Sequence, residues 1–475
     1  MASGFRSEQW QPADFIREDE IRRLLAEGKQ ASSEEVQKII TKAKEGAGLS
    51  LAETAVLLEN EDILLQKELF AAAREVKLKI YGQRLVLFAP LYLSDHCINN
   101  CLYCGYRREN DFRRSRLSQE ELAEEVRVLE NLGHKRLALE AGEHPAECPL
   151  DYIIDCIKTI YTLKFKNGSI RRVNINIAAT TVEDYARLKA ADIGTYILFQ
   201  ETYHRETYGK VHLSGPKSDY DWHTCAHHRA MQGGIDDVGF GVLFGLYDYK
   251  FEVLSMLMHA QHLESLFGVG PHTISVPRLR PACGMELDQF PHLVSDADFA
   301  RLVAILRLAV PYTGLILSTR ERPALRDQLL DLGISQLSAG SCTGVGGYRR
   351  EDSGTDEEEA TPQFSVDDHR SPDQVLQSIC RSGYLPSYCT ACYRQGRTGD
   401  RFMALAKSGK IQDVCQPNAI LTFKEYLLDY ASPETKLVGE ETIRLHLAEI
   451  KNDKVRSSTL ARLACIEQGE RDLYL

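Results

Sequence analysis

The sequence predicts an α/β protein whose main body is a TIM-type (β/α)8 parallel barrel, with an N-terminal helical extension and a mostly helical C-terminal part. Three observations predict it. Apolar, strand-like runs recur near residues 84–94, 136–142, 171–179, 195–202, 237–246, 272–280, 314–320 and 336–341. The stretches between them carry apolar residues at helical spacing, and Ser118-Gln-Glu-Glu121 and Thr181-Val-Glu-Asp184 read as capping boxes opening two of them. Regular alternation of strand and helix implies a parallel sheet, and eight such units close it into a barrel.

Residues 1–80 form the extension. Apolar positions at Leu24, Leu25, Glu34–Ala43, Leu51–Leu58 and Ile63–Val76 fall at helical spacing. The barrel is expected over 81–360. It ends in the acidic run Glu351-Asp-Ser-Gly-Thr-Asp-Glu-Glu-Glu359, read as a solvated loop. Residues 361–475 make the tail. A chain of 475 residues with net charge −11 can bury a large core but lacks the basic face that nucleic acid requires. No run of eighteen apolar residues suggests a membrane span, and the first ten residues lack the apolar core of a signal peptide. Thirteen cysteines, an odd number with several at ligand spacing, suit a reducing compartment. The expected location is the cytoplasm.

Directly after the first strand comes Cys97-Ile-Asn-Asn-Cys101-Leu-Tyr-Cys104, a Cys-x3-Cys-x2-Cys set. Chemistry in such barrels sits on loops at the C-terminal ends of the strands, which is where this set falls. Three thiolates on one loop can hold three irons of a cubane and leave the fourth without a protein ligand. Zinc prefers paired units with a fourth ligand in step, and no such partner lies nearby. The tail carries Cys389-Thr-Ala-Cys392 and then Cys415, a Cys-x2-Cys-x22-Cys set. On that spacing alone zinc and an iron–sulfur cluster compete, with His369 or Cys380 as the fourth ligand a zinc site would need. The other cysteines read as small core residues, with Cys283 and Cys342 the first to revise because they follow strands six and eight.

The first cysteine set, with Tyr103 before its last thiol, resembles the cluster motif of the radical S-adenosylmethionine (SAM) enzymes. Further stretches resemble one branch of that superfamily, the aromatic amino acid lyases. They are Phe199-Gln-Glu-Thr-Tyr203, Ser275-Val-Pro-Arg-Leu-Arg-Pro281, Ile316-Leu-Ser-Thr-Arg-Glu321 and Gln336-Leu-Ser-Ala-Gly-Ser341. That branch includes 2-iminoacetate synthase of thiamine biosynthesis and the tyrosine lyase of FeFe-hydrogenase maturation. The Cys-x2-Cys-x22-Cys tail is similar to the maturase. The resemblance implies a 4Fe–4S cluster with SAM and a second, auxiliary Fe–S cluster with an additional iron. It implies cleavage of L-tyrosine to p-cresol and dehydroglycine, and conversion of the latter to CO and cyanide for an Fe(CO)2(CN) unit. A reducing electron donor and other hydrogenase maturation proteins are the implied partners. The alternatives are 2-iminoacetate synthase and a non-catalytic Fe–S scaffold.

Residue roles follow from that resemblance together with side-chain chemistry. Cys97, Cys101 and Cys104 are expected to hold the first cluster, and Cys389, Cys392 and Cys415 the second. Leu139-Glu-Ala-Gly-Glu143 resembles the superfamily's Gly-Gly-Glu motif with Ala141 in place of the first glycine. Tyr103, Gly142, Glu143, Asn176 and Glu201 are the SAM candidates. Arg320, at the end of the seventh strand, offers a fork for the amino-acid carboxylate, with Ser338 and Ser341 adding donors. A structural pairing of Arg320 with Glu321 or Asp327 is the competing reading. His272 precedes the sixth strand, at the bottom of the barrel, and is the expected ligand of the additional iron in preference to His262.

Overall fold

A computed structural model describes residues 12–354, 361–407 and 411–475. The reading of the first ten residues lies outside that range, as does the part of the acidic run from Thr355 to Glu359. The start of that run is helical, within Gly347–Ser353, rather than loop.

Eight parallel strands close the barrel: β1 (Arg84–Ser94), β2 (Arg136–Ala141), β3 (Arg172–Asn176), β4 (Tyr196–Glu201), β5 (Val238–Val242), β6 (Thr273–Ser275), β7 (Gly314–Leu317) and β8 (Gln336–Ser338). They pair in chain order, and β1 pairs with both β8 and β2 to complete the ring. All eight lie within the expected runs. Several stop short of them because the chain leaves the sheet at its C-terminal end to build loops. β6, for example, ends at Ser275, and the next contact is a lone bridge between Phe244 and Arg278. Ser118 and Glu121 form a reciprocal capping box. Thr181 accepts from the Asp184 N–H without the return bond.

The extension is four helices, Glu18–Gly28, Ser33–Ala43, Leu51–Glu59 and Ile63–Tyr81. The fourth packs on the barrel helices Asp296–Ala309 and Pro323–Leu332. Arg301 reaches from the first of these to the Leu58 carbonyl and so ties the extension to the barrel. No helix among the described residues is long and apolar enough to cross a membrane.

The C-terminal part is mostly helical, and one short strand joins it to the barrel sheet. β9 (Leu385–Ser387) runs parallel to β1 over Arg84–Val86, whereas β2 pairs β1 only from Ala89 onward. The tail therefore occupies the stretch of β1 below the start of β2. Residues 363 and 364 reach the opposite end of the barrel, where the Gly105 N–H donates to the Gln363 carbonyl at 2.9 Å. Chain on both sides of residue 360 thus contributes to the top of the barrel.

Buried ion pairs join these layers. Arg171 meets Glu425 at 2.5 Å with both side chains nearly buried, and Arg326 pairs with Asp368, fully buried. Removing one member of such a pair strands a charge in the interior. Asp368→Ala is expected to cost about 3–5 kcal/mol, read as a lower midpoint in urea unfolding, whereas replacing an exposed partner such as Glu441 should change little.

Candidate functional site

A cavity of about 1590 Å³, including its open mouth, sits at the C-terminal ends of the strands. Cys97, Cys101 and Cys104 all line it. Their loop is braced by backbone bonds on several sides. The Ile98 N–H donates to the Glu143 carbonyl at 2.8 Å, the Gly142 N–H to Ser94 at 2.9 Å, and the Leu102 N–H to Val211 at 2.9 Å. A Cβ at Gly142 would lie 2.3 Å from the His96 carbonyl, so only glycine lets the end of β2 approach the cysteine loop this closely. Ala141, where the resembling motif has glycine, is accommodated at the last paired position of β2.

Burial pushes the Cys104 thiol up to about 11 and raises Cys101 further. Three desolvated soft donors on one cavity wall fit an iron–sulfur cluster, whose irons would supply the positive charge the thiolates lack.

Around the thiols the polar groups form a connected chain. Asn99 Nδ2 donates to Glu143 Oε2 at 2.6 Å, and Asn99 Oδ1 accepts from the Lys217 N–H at 2.9 Å. Lys217 Nζ meets Glu201 Oε1 at 2.7 Å. Burial alone would lower Lys217, but Glu201 and the nearby thiols raise it, so it stays charged. Glu201 has φ +68°, a left-handed conformation rare for a residue with a side chain, at the point where the β4–β5 register shifts. That shift coincides with the carboxylate lining the cavity. Tyr103 bonds through its hydroxyl to His212 Nε2 at 2.7 Å, which fixes its ring on the wall. Asn176 stands opposite Glu140 in register. Burial pushes the Glu140 carboxyl up to about 8, despite Arg320 and Asn176.

Arg320 is buried at the same cavity with its guanidinium 3.2 Å from the centroid of the Phe364 ring. The carboxylates that could have claimed it are engaged elsewhere. Glu321 pairs with Arg278 and, at 2.7 Å, with Arg280, while Asp327 pairs with Arg370 at 3.2 Å. Among the described residues the only hydrogen bond of the guanidinium is a long one, 3.5 Å, to the Arg278 carbonyl. Ser338 Oγ accepts from the Thr319 N–H at 3.2 Å, and Ser341 Oγ is buried without a partner among the described residues. Both line the cavity. A free guanidinium fork beside hydroxyls is an arrangement for holding a carboxylate.

A second cavity, of about 660 Å³, lies at the opposite end of the barrel and is lined by Cys389, Cys392, Cys415 and His272 together. Cys389 lies just past β9, after Tyr388. Cys415 comes from the helix Ile411–Asp429, two residues before its internal proline. Burial raises the Cys389 thiol, against the pull of Arg84, and pushes Cys392 up to about 11. His272 is fixed by backbone bonds to Val238 and Gly314 and by an edge contact with Phe402, 4.7 Å between centroids. Burial lowers its pKa and keeps the imidazole neutral, the form that ligates metal. This donor set of three thiols and one imidazole fits an iron–sulfur cluster with an iron beside it. Neither His369 nor Cys380 lines the cavity, and His262 stacks on Phe15 elsewhere, 4.2 Å between centroids.

The two cavities share the strands. On β1, Val86 lines the lower cavity and Phe88 the upper; on β2 the pair is Arg136 and Ala138, on β7 Gly314 and Ile316, and on β8 Gln336 and Ser338. Two residues of strand span about 6.6 Å, so the chambers adjoin along the barrel axis.

Sequence reasoning missed Lys217, Glu140 and Gln363 at the upper site, and Arg84, Arg136 and Asp237 at the lower. Only Glu140 carried a signal, standing one residue before the Ala-Gly-Glu segment. Of the unassigned cysteines, Cys342 is buried as expected, whereas Cys283 is exposed and so is no core residue.

Family models match in two blocks, the radical SAM superfamily over residues 91–259 and the biotin and thiamin synthesis associated domain over 275–385. The chain is 30% identical over 381 residues to 2-iminoacetate synthase of Escherichia coli (strain K12), covering 80% of this chain and 95% of that protein. Among solved structures it resembles HydG, a maturase of the [FeFe]-hydrogenase, with 60% identity, a TM-score of 0.94, and coverage of 98% of this chain and 100% of that one. The HydG structure from Carboxydothermus hydrogenoformans gives 41% identity, a TM-score of 0.82, and coverage of 96% and 100%.

Proposed function

From the membership of this chain in the radical SAM superfamily, in the family of the [FeFe]-hydrogenase maturase HydG, we propose its function and the residues that carry it. It is a radical SAM carbon–carbon lyase that splits L-tyrosine between Cα and Cβ into p-cresol and dehydroglycine. Dehydroglycine then yields CO and cyanide for an Fe(CO)2(CN) precursor of the hydrogenase H-cluster. The observation that carries the reading is the pair of three-thiol cavities at the two ends of one barrel, adjoining along its axis.

Cys97, Cys101 and Cys104 would hold the 4Fe–4S cluster, which with SAM supplies one-electron cleavage of the sulfonium and hence a radical able to abstract hydrogen. Gly142, which lets the end of β2 close on the cysteine loop, and Glu143, oriented by Asn99, would face SAM. Lys217 fixes Glu201, and Asn176 and Tyr103 complete that wall. Arg320 holds the substrate carboxylate with Ser338 and Ser341 beside it. The walls exclude bulk water from a fragment that hydrolyses readily. Cys389, Cys392 and Cys415 would hold the auxiliary cluster and His272 the additional iron, the place where the fragment is broken down.

Arg320→Gln removes the cationic fork. It is expected to lower kcat/KM for tyrosine on the order of a hundredfold, for a loss of about 3 kcal/mol. Cresol release at varied tyrosine checks this, and an unchanged kcat/KM would move the carboxylate site. His272→Ala is expected to retain the auxiliary cubane while losing about one iron per chain, seen by iron analysis and electron paramagnetic resonance. Full iron content in that variant would place the ligand elsewhere.

The function is tested by anaerobic incubation with dithionite, SAM and tyrosine, assaying p-cresol, CO and cyanide together. The identity to 2-iminoacetate synthase over 381 residues favours a second reading. Cresol without either diatomic would decide for it, and no 5′-deoxyadenosine at all would leave only a cluster scaffold.

A further inference from the structure

We infer that Arg84 and Arg136 form a carboxylate-docking site in the lower cavity, whose ligand is the small α-imino carboxylate left when the amino acid loses its side chain. This deepens the proposed function and depends on it. Both arginines open their strands, β1 and β2, and both are at least nine-tenths buried at the cavity wall. Among the described residues neither has a carboxylate partner. Arg136 donates to the Tyr393 hydroxyl at 3.0 Å and leaves its Nε unpartnered, while the Arg84 side chain makes no hydrogen bond to any described residue and its buried Nε is unpartnered.

A third guanidinium, Arg397, lines the same cavity and donates to the Leu475 carbonyl at 3.0 Å. Among the described residues lining this cavity one side-chain carboxylate, Asp237, stands against the three. Its Oδ1 accepts from the Gly399 N–H at 3.0 Å and lies 3.8 Å from His272 Nδ1, and its Oδ2 has no hydrogen-bond partner among the described residues. Cys389 and Cys392 line the same cavity as Arg84 and, as thiolates, would offset part of its charge. Buried guanidinium is costly unless paired and hydrogen-bonded. Neutralising thiolates needs only charge, whereas open planar forks match the two oxygens of a carboxylate.

Position agrees with that chemistry. Two residues further along the same strands, Phe88 and Ala138 line the upper cavity. A fragment descending the barrel therefore meets these two forks on arrival, with His272 lining the same chamber. Held by its carboxylate, the fragment is kept from leaving into water before it reaches the iron. Without the hold, water adds across its C=N bond and releases glyoxylate and ammonia.

The test uses the full-length, cluster-loaded protein with Arg84→Gln, Arg136→Gln and Arg84→Lys. Glyoxylate, the stable carbonyl counterpart of the imine, is titrated calorimetrically. Each Gln variant is expected to bind it about tenfold more weakly or worse, and Arg84→Lys should recover only part of the loss. In turnover, CO plus cyanide per cresol should fall about fivefold or more in the Gln variants, with glyoxylate per cresol rising to match. Unchanged glyoxylate affinity and unchanged diatomics per cresol would overturn the proposal. So would loss of auxiliary iron and sulfide in the Gln variants with full recovery in Arg84→Lys, which would make the arginines cluster counter-ions. Absence of cresol from the unaltered protein would instead remove the functional reading, and the titration would still judge the docking site.

Discussion

Cys104→Ser is expected to reduce both 5′-deoxyadenosine and p-cresol to background while the auxiliary cluster persists. Cys104 shares a cavity wall with Cys97 and Cys101, and the lower set stands at the far end of the barrel with separate walls. Serine is close in shape, but its hydroxyl is a harder and far weaker acid than the thiol, so it would lose the iron without disturbing the packing. Gln363 Nε2, 3.8 Å from Cys104 Sγ, would find an oxygen in its place. The measurement is the electron paramagnetic resonance of the reduced protein with and without SAM, beside a product assay. Residual SAM cleavage above background would mean that radical generation does not depend on this thiol.

Cys389→Ser should do the converse. Cresol should still appear, CO and cyanide should not, and the undelivered fragment should be recovered as glyoxylate. The separation follows from the fold, because Cys389 enters from β9 and touches none of the upper wall. The strands that form both chambers remain intact in this variant. If it failed to cleave tyrosine while keeping its fold and first cluster, assignment of two successive sites would be wrong.

Much of this architecture was legible in the sequence because it is carried by local patterns. Alternating apolar strands and amphipathic helices identified all eight barrel strands. Two close-spaced cysteine sets identified loops whose thiols share a cavity. His272 was found through the barrel rule, since a residue just before a strand lies at the bottom. The rest depends on distant pairings that no local spacing records. Leu385-Pro-Ser387 has too few residues to announce a strand, and only Arg84–Val86 make it one. Lys217 sits in a single 3-10 turn, Pro216–Ser218, and gains its role from Glu201, 16 residues away, and Asn99, 118 residues away. Arg84 and Arg136 looked like ordinary charged strand starts, because the chamber beneath them is closed by a tail more than two hundred and fifty residues later in the chain.

The charge pattern of Arg320 shows how structure decides where sequence leaves alternatives. Glu321 follows it directly and could have been its partner, yet that carboxylate is held by Arg278 and Arg280 from the β6 loop. The neighbouring arginines thereby leave Arg320 available on the cavity wall, where a planar fork is useful for substrate rather than stability.

Metal analysis with Mössbauer spectroscopy on anaerobically prepared protein tests the central claim most directly. Two distinct cubane signals are expected, one removed by Cys104→Ser and the other by Cys389→Ser, with zinc in neither. A single cluster, or zinc bound at Cys389, Cys392 and Cys415, would contradict it.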